Sequence, residues 1–206
     1  IDVRLVGSEM CIRDRPSVEG AIKAADCGVD GLVVEGTEGG GFKSPEEVGL
    51  FVLIQAIRKQ IDLPIIAAGG IADGAGMAAA FAVGAEGIQM GTRFVSSKES
   101  PVHDNFKNYI FESSLNGTWI LNKTSKPVIR ALRTEFTKEI LEAGEMDMSA
   151  MGKIQDLYFG GDMNAAPALS GQSVGLIDDI KSAEEIIQDT INEFNQTCSE
   201  LGTLKL

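Results

Sequence analysis

Two glycine-containing motifs are the parts of this sequence whose residue types and spacing could do chemistry. They are AAGGIADG (67–74) and QMGTRF (89–94), about 20 residues apart. Each places glycine at the end of an apolar stretch, where a missing side chain lets a phosphate group reach backbone N–H groups. Thr92 adds a hydroxyl group beside the second motif. The pair predicts a phosphate-binding site, although such glycines could also serve only to turn the chain tightly between a strand and a helix.

Three short apolar segments would position these motifs. VDGLVVEG (29–36), LPIIAAGG (63–70) and AEGIQMG (85–91) all end in glycine and have the composition of buried parallel strands. Apolar residues at helical spacing lie between them, and one helix is predicted from about Pro45 to Gln60. This alternation predicts an α/β fold with a parallel sheet. In a (β/α)8 barrel the carboxyl ends of the strands form the active-site face, and both motifs would lie there.

The second half of the chain, from about residue 103, is predicted to be mostly helical. Helices are expected at 102–113, from within 118–136 on to about Ala143, at 150–159 and at 182–201. On this prediction Arg130 and Arg133 lie three residues apart on one helix, where surface salt bridges are a commoner role than binding a substrate anion. The only histidine, His103, is expected at a helix start with a local hydrogen bond.

Charge and cysteine content exclude several classes of function. The formal net charge is −12 without a basic cluster, so nucleic acid and anionic membranes would be repelled. Three widely spaced cysteines and a single histidine favour neither a disulfide framework nor a zinc site, and they fit a cytoplasmic protein. No apolar run approaches the roughly 20 residues that span a bilayer.

The length suggests that part of a barrel is missing. The chain has 206 residues, against about 250 for a complete eight-stranded barrel, and contains only three strongly predicted strands. Residues 1–15 match neither a helical period nor a strand and are interpreted as a non-native segment. Residues 16–206 are therefore predicted to be the C-terminal part of a single barrel domain, with its N-terminal strands missing.

The central motifs resemble one family. The stretches VDGLVVEGTEGGGFKS (29–44) and LPIIAAGGIADGAGMAAAFAVGAEGIQMGTRFVSSKESPVHDNFK (63–107) resemble the nitronate monooxygenase (2-nitropropane dioxygenase) family, which is similar to flavin-dependent enoyl-ACP reductases. The resemblance continues more weakly through RALRT (130–134) and SGQSVGLI (170–177). It implies a (β/α)8 fold and an FMN cofactor.

The resemblance also implies which residues form the site. The phosphate of FMN would be bound by Gly69, Gly70, Gly91 and Thr92. Gln89 and Met90 would lie beside the flavin, and Glu35 and Gly36 would approach its ring from the preceding strand. The substrate pocket would be formed by Gly41, Phe42, Gln172 and Ser173.

One position departs from the family pattern. Many members carry a histidine at the end of the glycine-rich loop, where it acts as the base that takes the α-proton of a nitroalkane. Here Phe42 occupies that position, and a phenyl ring cannot accept a proton. The catalytic residue is therefore left unassigned. A nitronate is already an anion and could still be oxidised without that base.

Several functions stay open at this point. The leading prediction is an FMN-dependent oxidoreductase that acts on nitronates or a related small molecule and passes electrons to O2. The alternative within enzymes is a reductase of quinones or enoyl thioesters with NAD(P)H as its reductant. A barrel that binds a phosphate ligand without redox chemistry and an inactive fragment are the other possibilities, and a homodimer is one expectation for the assembly.

Overall fold

The computed structural model describes residues 9–12 and 17–204 of the chain. Most of residues 1–15 lies outside the described residues, so their non-native origin stays a prediction. The elements are, in order, β1 (Glu9–Ile12), α1 (Val18–Asp26), β2 (Gly31–Glu35), β3 (Gly41–Lys43), α2 (Leu50–Arg58), β4 (Ile65–Ala68), α3 (Gly74–Ala82), β5 (Gly87–Gln89), α4 (Thr92–Val95), α5 (Asp104–Phe111), β6 (Thr118–Leu121), β7 (Val128–Leu132), α6 (Glu135–Ala143), a 3-10 helix (Met148–Lys153), α7 (Ile154–Tyr158), a second 3-10 helix (Gln172–Leu176) and α8 (Ala183–Gly202).

A four-stranded parallel sheet forms the first layer, in the order β1-β2-β4-β5. Strands β2, β4 and β5 are the three that the sequence predicts, so the α/β prediction is confirmed. The register pairs Glu35 with Ala68 and Ala68 with Gln89. Because the strands are parallel, their carboxyl ends lie side by side at one edge, and each is followed by a glycine-containing turn.

Helix α2 covers this sheet but begins later than predicted. Its buried residues are Leu50, Leu53, Ile54 and Ile57, which recur at helical spacing and pack with α1, β2 and β4 in one apolar core. The predicted start near Pro45 is wrong because Glu47 has a left-handed backbone with φ 47°, which interrupts a right-handed helix.

A second, antiparallel sheet corrects two sequence predictions. Its strands lie in the order β3-β7-β6. All five residues of β7 are buried, so the predicted helix over this stretch is wrong and Arg130 lies on a strand. The apparent helical spacing is overridden because β7 has a partner strand on each side. Part of the predicted glycine-rich loop is likewise the strand β3.

The last helix packs against α3 at a very short distance. A Cβ atom added to Gly74 would lie 2.3 Å from the backbone nitrogen of Phe194, so only glycine fits where the two helices meet. Helix α8 begins with a capping box between Ser182 and Glu185, close to the predicted start. Of the helices in the described ranges, none has both the length and the apolar character that crossing a membrane requires.

Candidate functional site

A cavity of about 390 Å3 lies at the carboxyl ends of β2, β4 and β5. Its volume is within the range of pockets that hold small ligands and cofactors, roughly 300–1,000 Å3. The lining residues are Glu35, Gly39, Gly40, Gly41, Phe42, Ala68, Gly69, Gly70, Ile71, Gln89, Gly91, Thr92, Val95, Leu169, Gly171 and Ser173.

The structure brings most of the predicted site residues to this cavity. Nine of the twelve line it: Glu35, Gly41, Phe42, Gly69, Gly70, Gln89, Gly91, Thr92 and Ser173. Gly36, Met90 and Gln172 do not. Gly36 is buried behind the strand end, with its N–H donating to the carbonyl of Ala68. Met90 packs on the apolar core, and Gln172 is exposed.

The turn after β4 owes its shape to two consecutive glycines. Gly69 has φ 91° and Gly70 has φ 75°, a region that side chains rarely adopt. A Cβ at Gly69 would also lie 2.8 Å from the backbone nitrogen of Gly39. The turn therefore brings main chain directly to the cavity wall, and successive main-chain N–H groups in such a turn can form an anion-binding concavity.

The turn after β5 is glycine-containing for a different reason. Gly91 has φ −96°, which any residue can adopt, and a Cβ placed there would meet no atom within 4 Å. Gly91 is exposed and lines the cavity. Helix α4 begins at the next residue, and the first N–H groups of a helix have no partner within it.

The N-terminus of α3 is closed to ligands by protein carboxylates. The side chain of Asp73 accepts a hydrogen bond from the N–H of Gly76 at 2.7 Å, and Glu193 accepts one from Gly74 at 2.8 Å. These acidic groups satisfy the end of the helix. Of the two helices that follow the motifs, α4 is therefore the one whose first turn is open to the cavity.

The loop between β2 and β3 is held from several directions. The N–H of Thr37 donates to the carbonyl of Val48, and Arg130 donates from Nε to the carbonyl of Thr37, both at 2.9 Å. Both carboxylate oxygens of Glu38 lie 3.1 Å from the N–H of Leu50 at the start of α2. The loop is thus part of the frame of the cavity.

The C-terminal tail closes the cavity against this loop. A Cβ at Gly40 would lie 2.7 Å from the nitrogen of Gly171, and one at Gly171 would lie 2.8 Å from the carbonyl oxygen of Glu38. The N–H of Gly171 donates to the hydroxyl of Thr92 at 2.9 Å, and both groups are buried. Thr92 therefore joins the tail to α4 and keeps its own O–H available as a donor.

The titratable side chain of the cavity lining is that of Glu35. Among the lining residues that the structure describes, only Glu35 is titratable, and its carboxylate is paired with Lys43 Nζ at 2.9 Å. Phe42 is 44% exposed and faces the same space. His103 caps α5 by accepting from the N–H of Asn105, which confirms its predicted local role.

Three residues that position the site were not singled out from the sequence. Lys43 could have been found by interpreting GFK as a strand. Successive residues of a strand face opposite sides, so Lys43 faces away from the side that Phe42 faces. Glu38 and Gly171 gave no such signal, because their partners Leu50 and Thr92 are brought to them only by the tertiary fold.

Comparisons with known proteins agree with this geometry. The family model described as nitronate monooxygenase matches residues 8–193. A probable nitronate monooxygenase of Staphylococcus aureus (strain MSSA476) is 30% identical over 213 residues, which is 95% of this chain and 57% of the relative.

Two further relatives carry other names. The (3aS,4S,5R,7aS)-5-hydroxy-7a-methyl-1-oxo-octahydro-1H-indene-4-carboxyl-CoA dehydrogenase of Rhodococcus jostii (strain RHA1) is 30% identical over 90% of this chain and 64% of its own length. The structure of FabK from Thermotoga maritima superposes with a TM-score of 0.86 at 38% identity, covering 94% of this chain and 62% of that one.

The chain spans about three-fifths of the length of these relatives. Within that span the parallel strands, the glycine turns at their ends and the family match agree. The family and its FabK-like neighbours are generally flavin-dependent oxidoreductases. This chain belongs to the nitronate monooxygenase family.

Proposed function

We propose that this chain carries the phosphate-binding side of an FMN site in an oxidoreductase that acts on nitronates or related small molecules and passes their electrons to O2. The observation that carries this proposal is the single cavity lined by both glycine turns, Gly69–Gly70 and Gly91–Thr92. The clearance at Gly91 supports it, because a Cβ there would enter space that no protein atom uses.

In this proposal the phosphate of FMN lies against the two turns. Main-chain N–H groups of Gly69, Gly70 and Gly91 and the hydroxyl of Thr92 would donate to its oxygens. When bound, FMN supplies the redox chemistry, while the protein binds, orients and shields it. Glu35, Gln89 and Phe42 line the remaining wall, so they are the residues that would border the ring system and the substrate.

The identity of residue 42 predicts the preferred form of the substrate. A neutral nitroalkane must lose its α-proton before oxidation, but Phe42 cannot take it. A nitronate arrives with that proton already removed. We therefore expect nitronates to be the better substrates.

Oxygen consumption in the presence of FMN tests this preference. With propane-2-nitronate and neutral 2-nitropropane assayed side by side, kcat/KM should be at least about 100-fold higher for the nitronate, the usual contribution of an efficient general base, which Phe42 does not supply. Phe42→His should narrow the ratio by raising the rate with the neutral compound. Equal rates in the unaltered chain would contradict the proposal.

A second candidate is a flavin-dependent reductase of enoyl thioesters or quinones that uses NAD(P)H. The observation that favours it is the likeness to FabK, at 38% identity over 94% of this chain, together with a relative named as a carboxyl-CoA dehydrogenase. A phenyl ring at position 42 offers a stacking surface, which hydride transfer needs more than a base. Oxidation of NADH or NADPH that depends on an added enoyl-CoA, with no nitronate oxidation, would establish this alternative.

We further propose that the parallel sheet is the C-terminal part of a (β/α)8 barrel. Supporting this are the parallel order β1-β2-β4-β5 and the 62% coverage of FabK. The site would then be shared with strands other than those of residues 9–12 and 17–204, which the structure describes. We expect full activity only of a longer polypeptide.

A further inference from the structure

The ion pair between Glu35 and Lys43 lies between the cavity and the interior of the loop that follows β2. The Lys43 side chain is only 4% exposed and the Glu35 side chain 12%. A Cβ at Gly39 would lie 2.1 Å from Glu35 Oε1 and 2.6 Å from Lys43 Nζ. The loop therefore has glycine at position 39 because the paired charges occupy the space of its side chain.

Behind this pair is a second, very small void of about 10 Å3. It is lined by Glu35, Gly36, Thr37, Lys43, Ser44, Glu47 and Val48, so polar and apolar groups share its wall. A void of this size holds about one water molecule, and a buried water typically makes two to four hydrogen bonds.

A buried hydroxyl at this void has no partner in the described protein. The Oγ1 atom of Thr37 is buried and makes no hydrogen bond, although the N–H and the carbonyl of the same residue are both bonded. Buried polar atoms are nearly always satisfied, by protein or by ordered water. A buried hydroxyl without a protein partner, on a residue that lines a void large enough for one water, is an environment in which a water molecule is retained.

Glu47, which also lines the void, is exposed at the protein surface. Its carboxylate is exposed and pairs with Lys123 at 2.9 Å. Glu47 also holds the left-handed φ of 47°, a conformation that costs a non-glycine residue energy and persists at this void. Glu35, Lys43 and Glu47 thus border one void between the cavity and solvent.

We propose that one water molecule occupies this void and that Glu35, Lys43, the water and Glu47 form a route for protons between the cavity and solvent. The inference rests on the proposed function only in taking the cavity as the place of reaction. It assigns to Glu35, the titratable lining group, a slow transfer of the proton that Phe42 cannot take; because Glu35 is paired with Lys43, the nitronate stays the better substrate.

The proton balance of the route is simple for a neutral nitroalkane. Its α-C–H bond breaks, the electron pair stays on the substrate as the nitronate, and the proton forms an O–H bond with Glu35. Glu35 then passes a proton to Lys43 as Lys43 gives one to the water and the water gives one to Glu47. Nothing is oxidised or reduced in these steps, and a nitronate substrate does not need them.

Thr37→Val tests the water molecule without any enzyme assay. Valine keeps the branched shape of threonine but removes the hydroxyl. If water is bound there, it loses a partner and Tm should fall by about 2–4 °C. If the void is dry, removing an unsatisfied hydroxyl should leave Tm unchanged or raise it, which would overturn the proposal. Thr124→Val, an exposed threonine, is the matched control and should not change Tm.

The substrate dependence of the same variant tests the route. In the FMN-loaded chain, Thr37→Val should lower kcat for neutral 2-nitropropane at least about 10-fold and leave kcat for propane-2-nitronate unchanged. An equal fall with both substrates would mean a merely structural role, and no fall with either would mean that protons leave by another way. Either result overturns the route.

Failure of the proposed function itself gives a different pattern. Failure to retain flavin, both by this chain and by a longer polypeptide that completes the barrel, would contradict the FMN site, whereas the Tm comparison of Thr37→Val would still decide whether the void holds water.

Discussion

The two glycine turns at the cavity differ in whether the protein itself requires glycine there. At Gly69 and Gly70 the backbone itself is left-handed, and neighbouring main chain leaves no room for a side chain at Gly69. At Gly91 the backbone is ordinary and a side chain would meet empty space. The first turn requires glycine in order to fold. The second has glycine where neither the backbone conformation nor neighbouring protein atoms require it.

This difference separates structural from functional evidence at one site. Glycines that the fold requires say little about a ligand, because they would be present without one. Gly91 is more informative, since neither its conformation nor its contacts require glycine. Variants at these positions should therefore behave differently in stability and in flavin binding.

The largest effect on stability is expected from Gly69→Ala. Alanine there would hold a left-handed φ and place its Cβ 2.8 Å from the nitrogen of Gly39, so we expect a loss of about 2–4 kcal/mol in the free energy of unfolding. Gly28→Ala is the matched control, because Gly28 has φ 79° with nothing within 4 Å, and should cost only about 1 kcal/mol. Urea denaturation measures the free energy of unfolding of both variants. Equal losses would show that the close contact with Gly39 does not add to the cost at Gly69.

A smaller effect is expected from Thr92→Val. The hydroxyl of Thr92 accepts from the buried N–H of Gly171, and its removal leaves that donor unpaired. Such a loss costs about 1–3 kcal/mol. Thr92→Ser keeps the hydroxyl and should stay closer to wild type in the same denaturation experiment. A valine variant as stable as the serine variant would show that this bond does not hold the tail to α4.

The smallest expected effect is a pH dependence of stability, and it concerns only the turn after β5. Arg93, next to Thr92, is tied to Asp179. Burial raises the pKa of Asp179, but hydrogen bonds from Lys181 and Arg93 outweigh it, and the pKa is lowered from its usual 3.8. Because the folded-state pKa is the lower one, the carboxylate contributes stability above about pH 4, and this contribution is lost as the pH falls through the lowered pKa.

Asp179→Asn should therefore flatten the decrease in stability below about pH 4. Thermal melts of wild type and variant across that interval measure it. Parallel curves would contradict the assignment of acid sensitivity to this contact. The turn at Gly69 and Gly70, which depends on backbone geometry, is expected to show no such dependence.

Sequence patterns predicted the parallel part of the fold because its signals are local. Each of β2, β4 and β5 lies in a short, mostly apolar segment that ends in glycine, and nine of the twelve predicted site residues line the cavity that these strand ends form. The glycines at 69, 70 and 91 needed no knowledge of distant contacts.

The antiparallel sheet could not be found in the same way. Strand β3 has three residues and is paired with β7, which follows it by more than 80 residues, so its conformation depends on a partner that no local window contains. The stretch Val128–Leu132 has apolar residues compatible with either period. It forms a strand because it pairs with β3 on one side and β6 on the other. Lys43 was missed with β3, because its orientation follows from strand alternation.

The most direct test of the account is flavin retention by Gly91→Ala. Purified full chain and variant are mixed with FMN and dialysed, and the visible flavin absorbance that remains is measured together with Tm. Gly152→Ala is the control, since a Cβ at Gly152 also meets nothing within 4 Å and Gly152 does not line the cavity. We predict unchanged Tm for both variants, flavin retained by wild type and Gly152→Ala, and at least about 10-fold weaker FMN binding for Gly91→Ala, as a methyl group blocks the approach of the phosphate to the main chain. FMN bound equally by all three chains would contradict a phosphate site at Gly91.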